Sequence, residues 1–161
     1  MINIVRASPL HTAEMAALLN GIIAAGGTTA LANRVTGDDL QTWMARAPGR
    51  SVWHVAEKED GAVVGFQWVE PADDLPDDAA EIATFAKIGQ TGLGIGSKLF
   101  ERTKVVAREL GYNWINANIR ADNTGGLTYY QSRGFETYDR KIGVKLANGL
   151  VVDKVLKRFN L

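Results

Sequence analysis

The sequence predicts a single mixed α/β domain over residues 1–161. Strand-like and helix-like runs follow one another in the order β-α-α-β-β-β-α-β-α-β-β, and no repeat or linker interrupts them. The 161 residues, 46% of them apolar, are enough to bury one sizeable core.

The N-terminal segment predicts one strand and one helix. Residues 2–6 form the strand, and Ser8 and Pro9 are residue types favoured at a helix N-cap and first helical position. The helix that follows carries an apolar stripe at helical spacing, made of Met15, Leu18, Leu19, Ile22 and Ile23.

The next segment predicts a second helix and a β-hairpin. Thr36 is placed to cap the helix, which ends before Pro48. Residues 52–57 and 63–69 form two strands, because Asp60-Gly61 between them is a typical hairpin turn.

The second half of the chain continues the alternation after an acidic, proline-containing loop. Its predicted elements are a strand at 81–86, a helix at 97–110, a strand at 113–119, a short helix at 124–133 and a hairpin of 135–144 with 151–159.

Composition excludes several functional classes. Eighteen basic and eighteen acidic residues cancel, which argues against a nucleic-acid partner. The chain has no cysteine, and its two histidines, His11 and His54, are far apart, so we expect no metal site. No signal peptide or membrane span is visible, and we therefore expect a cytoplasmic protein without a membrane partner.

The most informative segment is QTGLGIGSKLF at residues 90–100. Gly92, Gly94 and Gly96 lie between a predicted strand and a predicted helix. The free N–H groups of a helix's first turn and the helix dipole favour an anion there, and glycines let the backbone approach it closely. This arrangement predicts a ligand that bears phosphate.

Glycine spacing narrows the choice of phosphate ligand. A dinucleotide fingerprint would need glycine at Ser97 or Leu99, and a P-loop would need a hydroxyl residue after Lys98, where Leu99 stands. Both motifs fail. A glycine-rich hairpin is the remaining alternative, but the residues that follow have helical spacing.

A second motif supports a particular family. The loop resembles the coenzyme A pyrophosphate loop of the GNAT superfamily of N-acetyltransferases, [Q/R]-x-x-G-x-[G/A]. The run NTGGLTYYQSRGF at 123–135 resembles the same family's N-x-x-A-x-x-x-Y-x-x-x-G-F segment. Thr91 replaces the usual Gln or Arg, and Gly126 replaces the usual Ala. Because most donors in such a loop are backbone N–H groups, Thr91 should weaken the site only modestly.

The resemblance implies a fold and a cofactor. It implies a GNAT fold: a mixed, mostly antiparallel central sheet with helices on both faces and a splay between the fourth and fifth strands. It also implies that acetyl-CoA binds through Thr91, Gly92, Leu93, Gly94, Ile95, Gly96 and Ser97. Pantetheine would enter the splay beside the backbone of Thr84 and Ala86, and Asn123 would hydrogen-bond it or simply cap a helix.

The resemblance also implies two catalytic residues. Tyr130 falls on the family's tyrosine position, where its hydroxyl would protonate the departing sulfur; the alternative is a core tyrosine, the role we expect for Tyr129. The strand EIATFA at 81–86 resembles the E-x-S-x-Y-V strand of the phosphinothricin acetyltransferase-like branch. Its Glu81 would take a proton from the acceptor amine, or it would be a solvent-exposed edge glutamate.

The sequence therefore predicts an acetyl-CoA-dependent N-acetyltransferase that acts by direct attack in a ternary complex. The acceptor is expected to be a primary amine of a small molecule, such as an amino acid or analogue. The alternatives are a protein or peptide N-acetyltransferase and a non-catalytic acyl-CoA-binding sensor domain. Two alternatives exist for Trp43, Trp53, His54 and Trp68: they line an acceptor pocket, or they belong to the core. A homodimer is possible on this sequence.

Overall fold

A computed structural model describes residues 1–90 and 93–161 of the chain. Within these residues, seven strands form one sheet and four α-helices pack against it. The strands are β1 (Asn3–Arg6), β2 (Val52–Glu57), β3 (Val63–Glu70), β4 (Ala79–Ala86), β5 (Trp114–Arg120), β6 (Glu136–Lys145) and β7 (Val151–Asn160). The helices are α1 (Thr12–Ala25), α2 (Gly37–Ala45), α3 (Ile95–Glu109) and α4 (Thr124–Ser132).

The sheet has the expected mixed topology. Its strands lie in the order β1-β2-β3-β4-β5-β7-β6. Five neighbouring pairs are antiparallel, and the pair β4–β5 is parallel. A parallel pair needs a crossover connection, and α3 supplies it. The mixed, mostly antiparallel sheet expected from the sequence is confirmed.

The helices cover the two faces of the sheet, and alternating side chains of β4 serve both cores. On the α1/α2 face, Phe85 belongs to a core with residues of α1, α2, β2 and β3. On the α3/α4 face, Ala80 and Ile82 belong to a core with Phe100, Tyr130 and residues of β5. Because side chains alternate along a strand, β4 presents neighbouring residues to opposite sides of the sheet.

Two elements, α3 and β4, begin two residues earlier than the sequence predicts. Helix α3 begins at Ile95 instead of residue 97, because Gly94 adopts a left-handed conformation as N-cap and Ile95 is buried. Strand β4 begins at Ala79 instead of residue 81, because the buried Ala79 and Ala80 already pair with β5. In the described ranges, none of the helices combines the length and the apolar character that crossing a membrane requires.

Candidate active site

The parallel strands β4 and β5 pair over only part of their length. Their register covers four residues of each strand and ends at Ile82 on β4. Beyond that point β4 continues to Ala86 along β3, and β5 continues to Arg120 along β7. The strands diverge and leave an opening in the middle of the sheet, the strand gap, which is the splay expected from the sequence.

Glu81 lies on the α1/α2 face of β4, where the strand gap begins. Its Oε1 accepts a hydrogen bond of 3.3 Å from Asn116 Nδ2, and Asn116 is its registered partner on β5. Tyr138 of β6 donates its hydroxyl hydrogen to Asn116 Oδ1, which fixes the orientation of the amide. The Asn116 amide that binds Glu81 is therefore itself fixed by a hydrogen bond from Tyr138.

The surroundings of Glu81 raise its pKa above the usual value. Burial is the largest cause and the negative charge of Asp74 adds to it, while the hydrogen bond from Asn116 and the charge of Lys154 oppose it. A carboxyl group with a raised pKa accepts a proton more readily near neutral pH. These electrostatics suit a base that deprotonates an ammonium group.

A half-buried lysine lies near Glu81. Lys154 of β7 is registered opposite Arg120 of β5. Burial lowers the pKa of Lys154 although Glu81 and Asp74 oppose the change. Its ammonium group is thus incompletely compensated, which favours an additional anionic partner. At the rim, Lys141 of β6 donates a hydrogen bond of 3.0 Å to Asp74 and so ties the acidic loop to the β6–β7 hairpin.

Tyr130 of α4 approaches β4 from the opposite face. Its hydroxyl oxygen lies 2.8 Å from Thr84 Oγ1, and Thr84 is three residues after Glu81, so its side chain points to the other side of the sheet. Burial raises the pKa of Tyr130 well above its usual value, and the charge of Glu81 contributes to the rise. The hydroxyl is therefore protonated at neutral pH, as a general acid must be.

Tyr129 is anchored beside Tyr130. Its hydroxyl donates to the Gly96 carbonyl oxygen at 2.7 Å and accepts from Gln67 Nε2 at 3.2 Å. Burial raises the pKa of Tyr129 to about 12. The expectation of a core tyrosine with a satisfied hydroxyl is confirmed.

The start of α3 fits the expected anion site. Gly94, with φ 66° and ψ 27°, is the N-cap, and no side chain among the described residues caps the first turn. The backbone N–H groups of that turn have no partner within their own helix. Leu93 is exposed, Ile95 is buried, and Ser97 follows in the first turn. Two further expected ligands, Thr91 and Gly92, lie outside the described residues.

Helix packing also requires a glycine at position 96. A Cβ atom there would lie 2.6 Å from Cε1 of Tyr129. The residue is therefore required for the contact between α3 and α4. The sequence pattern suggested close approach of a phosphate, and only the packing of two helices reveals this second demand.

Asn123 uses both of its polar side-chain atoms within the protein. Its Oδ1 accepts from the Gly126 N–H at 2.9 Å, which caps α4, and its Nδ2 donates to the Thr28 carbonyl at 3.0 Å. Arg120 donates to the neighbouring Thr29 carbonyl at 3.1 Å. These two bonds hold the loop after α1 against the ends of β5 and α4. The helix-capping role expected as an alternative is present.

The tryptophans expected as pocket candidates belong to the core. Trp53 and Trp68 are buried, and their rings stack with centroids 4.0 Å apart. His54 is buried on the other face, and burial, with the charges of Arg6 and Arg102, lowers its pKa to about 4.

A surface cavity of about 480 Å³ lies beside the start of α3, lined in part by Leu93, Lys98 and Lys58. Neither Glu81 nor Tyr130 lines it. The cavity is therefore separate from the residues around the strand gap.

Sequence reasoning missed four site residues: Gln67, Asn116, Tyr138 and Lys154. One of them left a signal, because Gln67 interrupts the apolar run of β3. The others come from strands whose register with β4 and β5 is not visible in the sequence.

The described residues offer groups that suit acyl transfer to an amine: a carboxylate with a raised pKa, a protonated hydroxyl, and a helix start with a glycine N-cap. The chain matches the family described as Acetyltransferase (GNAT) family over residues 26–135, more than half of its length. The chain belongs to this family. Acetyl-CoA is the acetyl donor of the family, so the expected enzyme class and cofactor are confirmed.

A curated relative supports the assignment to the GNAT family. The Bacillus subtilis (strain 168) protein named "Putative phosphinothricin acetyltransferase YwnH" is 28% identical over 145 residues, which are 88% of this chain and 89% of that protein. These similarities include the phosphinothricin acetyltransferase-like branch suggested by the strand of Glu81.

Two solved structures show the same fold. A GNAT superfamily phosphinothricin acetyltransferase (Pat) from Sinorhizobium meliloti, in complex with AcCoA, superposes with a TM-score of 0.89 at 16% identity, covering 99% of this chain and 88% of that chain. A ribosomal-protein-alanine N-acetyltransferase from Brucella melitensis has a TM-score of 0.89 at 23% identity, covering 99% of both chains.

Proposed function

We propose that this protein transfers an acetyl group from acetyl-CoA to the primary amine of a small molecule, by direct attack in a ternary complex. The observation that carries the proposal is the half-buried Glu81 carboxylate, whose pKa is raised, at the opening of the strand gap. Acetyl-CoA supplies the thioester carbonyl that the amine attacks.

Glu81 acts as the general base. An amine arrives as ammonium at neutral pH and must lose a proton before it can attack. Asn116 and Tyr138 orient the carboxylate from the β5–β6 side, which leaves Glu81 Oε2 as an acceptor for the substrate proton.

Tyr130 acts as the general acid. It holds its proton at neutral pH and meets β4 from the face opposite Glu81. Donation of that proton to the leaving sulfur neutralises the thiolate as it departs.

The start of α3 and the last residues of β4 would hold the cofactor. Gly94 gives the loop its turn, and the first-turn N–H groups of Ile95, Gly96 and Ser97 would face the pyrophosphate, with Thr91, Gly92 and Leu93 before them. Thr84 and Ala86 would offer backbone groups to pantetheine, because β4 lacks a registered partner across the gap there. Asn123 would add a side-chain contact through the second hydrogen of its Nδ2, because the first is donated to Thr28.

The acceptor is an amino acid or analogue in this proposal. Lys154 carries an incompletely compensated positive charge near Glu81. A carboxylate or similar anionic group on the substrate would pair with it, while the substrate amine faces Glu81. A zwitterionic amine therefore matches the two charges better than a simple alkylamine.

An amine panel that follows release of free coenzyme A thiol tests this function. The panel pairs amino acids with their carboxamides and adds polyamines and peptides with free N-termini. We expect the amino acids to react faster than their carboxamides, and Lys154→Met to remove that preference.

Two other results would replace the proposal. Preference for peptide N-termini would favour a protein N-acetyltransferase, and acetyl-CoA binding without turnover of any amine would favour a sensor domain. The cytoplasmic location and the homodimer remain predictions, to be checked by cell fractionation and by light scattering.

A further inference from the structure

A buried polar chain connects β3, β4 and α4 on the α3/α4 face. Gln67, fully buried in the middle of β3, donates from Nε2 to Thr84 Oγ1 at 2.8 Å and to the Tyr129 hydroxyl at 3.2 Å. Thr84 Oγ1 in turn lies 2.8 Å from the Tyr130 hydroxyl. The chain therefore ends on the proposed acid.

The Gly96 carbonyl sets the direction of these hydrogen bonds. A carbonyl only accepts, so Tyr129, 2.7 Å away, donates its hydrogen there. The Tyr129 oxygen then accepts from Gln67, which requires the amide nitrogen of Gln67 to face it. The second hydrogen of that nitrogen goes to Thr84.

Thr84 is left with one hydrogen to donate. Its Oγ1 bonds to Gln67 and Tyr130, and it also lies near the Tyr129 hydroxyl. Gln67 is a donor, and the Tyr129 oxygen already accepts from Gln67, so the Thr84 hydrogen goes to the Tyr130 oxygen at 2.8 Å. The Tyr130 hydrogen is then the one that the chain leaves uncommitted.

We propose that Gln67 and Thr84 are positioning residues for Tyr130, which turn its proton toward the strand gap and stabilise the oxygen that remains after the proton has left. This inference rests on the proposed function. In the acyl-transfer step, the amine nitrogen forms a bond to the acetyl carbon and gives its proton to Glu81, and the carbon–sulfur bond breaks. The O–H bond of Tyr130 breaks in turn, and an S–H bond forms on the departing thiolate. The resulting phenolate keeps its hydrogen bond from Thr84 and later regains a proton from solvent.

The buried amide of Gln67 costs folding free energy. Gln67 Oε1 is buried and has no hydrogen-bond partner within the described residues. An apolar residue would fill the position without leaving such an atom, and the rest of β3 from Val63 to Val69 is apolar apart from Gly65. The amide is therefore better explained by its two donated hydrogen bonds than by packing.

A double-mutant cycle tests the inference on the full chain with acetyl-CoA and the amine found in the panel. Thr84→Val and Gln67→Met remove donors with little change in volume. Each should lower kcat by about 10- to 100-fold, the range for a lost hydrogen bond to a developing charge, with an unchanged acetyl-CoA Kd. Thr84→Ser, which keeps the hydroxyl, should recover most of the loss.

The decisive comparison uses Tyr130→Phe as the background. If Thr84 and Gln67 act through Tyr130, their substitutions should cost less than about 2-fold in kcat once the hydroxyl is gone. Thr103→Val is the matched control. It removes a buried hydroxyl that has no partner in the described ranges, so turnover should not change.

The outcomes separate this inference from the proposed function. The positioning role would be overturned if Thr84→Val and Gln67→Met lowered kcat as much in the Tyr130→Phe background as in the wild-type protein, or if each single variant kept the wild-type kcat. A low kcat in Tyr130→Phe would still support Tyr130 as the acid. Wild-type kcat in Tyr130→Phe, with the chemical step shown to limit turnover by the lack of a product burst, would overturn both the positioning role and the acid role of Tyr130. Acetyl transfer itself is tested separately by the amine panel.

Discussion

Glu81 and Thr84 are three residues apart on β4, and this odd separation sends their side chains to opposite faces of the sheet. The proposed base therefore lies on the α1/α2 face, while the proposed acid, bonded to Thr84, lies on the α3/α4 face. A substrate could not contact both through a fully paired sheet. In the proposed mechanism, the strand gap would bring the two groups to one reaction centre.

Glu81→Gln should change the pH dependence of kcat/KM for the amine. The base must be ionised, so the wild-type rate rises as pH increases through the raised pKa of Glu81. The amide keeps the shape and removes the basicity. We expect a loss of about 100-fold at neutral pH that shrinks at higher pH, where more free amine is present.

The matched control for that prediction is Asp73→Asn, which removes an exposed acid from the loop between β3 and β4. It should retain the wild-type profile, and the acetyl-CoA Kd should be nearly constant in both variants. Parallel profiles of equal height for Glu81→Gln and wild type would remove Glu81 from the mechanism.

Local motifs in the sequence supply candidate site residues, whose roles stay predictions. Glu81 and Tyr130 each lie in a recognisable run, so they could be named as candidates without a structure. Gln67 and Asn116 became visible only through the registers of β3 with β4 and of β4 with β5. Register depends on how distant strands pair, and no single segment records it.

At the level of elements, the glycines around α3 serve helix packing as well as the turn. A Cβ on Gly65 of β3 would lie 2.5 Å from Cγ2 of Ile95, and one on Gly96 would strike the Tyr129 ring. The start of α3 is therefore fixed from two sides, by β3 and by α4. This explains why the helix begins earlier than its apolar spacing alone predicted.

Gly94→Asp should weaken acetyl-CoA binding at least 10-fold, because it adds a negative charge at the expected pyrophosphate position. Its control is Gly94→Asn, which has the same shape and the same left-handed backbone requirement but no charge. Calorimetry on both folded variants isolates the charge effect. Equal affinities for the two variants would contradict the cofactor site.

Gly96→Ala should lower both stability and turnover, because the new methyl group displaces Tyr129 and with it the hydrogen bond from Gln67. We expect a loss of about 1–3 kcal/mol in the free energy of unfolding. Gly21→Ala is the control, since no atom lies within 4 Å of the added Cβ in the middle of α1. That variant should gain up to about 1 kcal/mol and keep full turnover.

Across the whole molecule, the predicted element order and sheet class agreed with the structure because hydrophobic periodicity and turn residues are local signals. The division of the apolar core between the two faces of the sheet was not visible in the same way. Each residue of β4 belongs to one face or the other, but only the packed helices show which face holds which core.

The buried His54 should make the whole fold sensitive to acid. The pKa of His54 is about 4 in the folded protein and 6.5 without the influence of the fold, so the unfolded chain binds the proton first as the pH falls. The stability that the neutral His54 allows is fully present above pH 6.5 and is lost as the pH falls toward 4. The loss approaches about 1.4 kcal/mol for each pH unit within this window.

Denaturant unfolding at pH 5 to 7 measures this effect. His54→Gln cannot take up the proton, so its free energy of unfolding should fall less steeply with decreasing pH. Identical slopes for the variant and the wild-type protein would contradict the assignment.

The strand gap also has a consequence for handling the protein. Where β4 and β5 part, each has a backbone edge facing the other strand without a registered neighbour. An open edge is a template for a strand of another chain, so preparations lacking cofactor should self-associate on storage. Coenzyme A that lies in the gap would cover both edges, and at about 100 times its Kd it would stabilise the fold by about 2.7 kcal/mol. Turbidity recorded over days should rise in preparations without coenzyme A and stay low in those with it. Equal turbidity in both would show that the ligand does not protect the protein from aggregation.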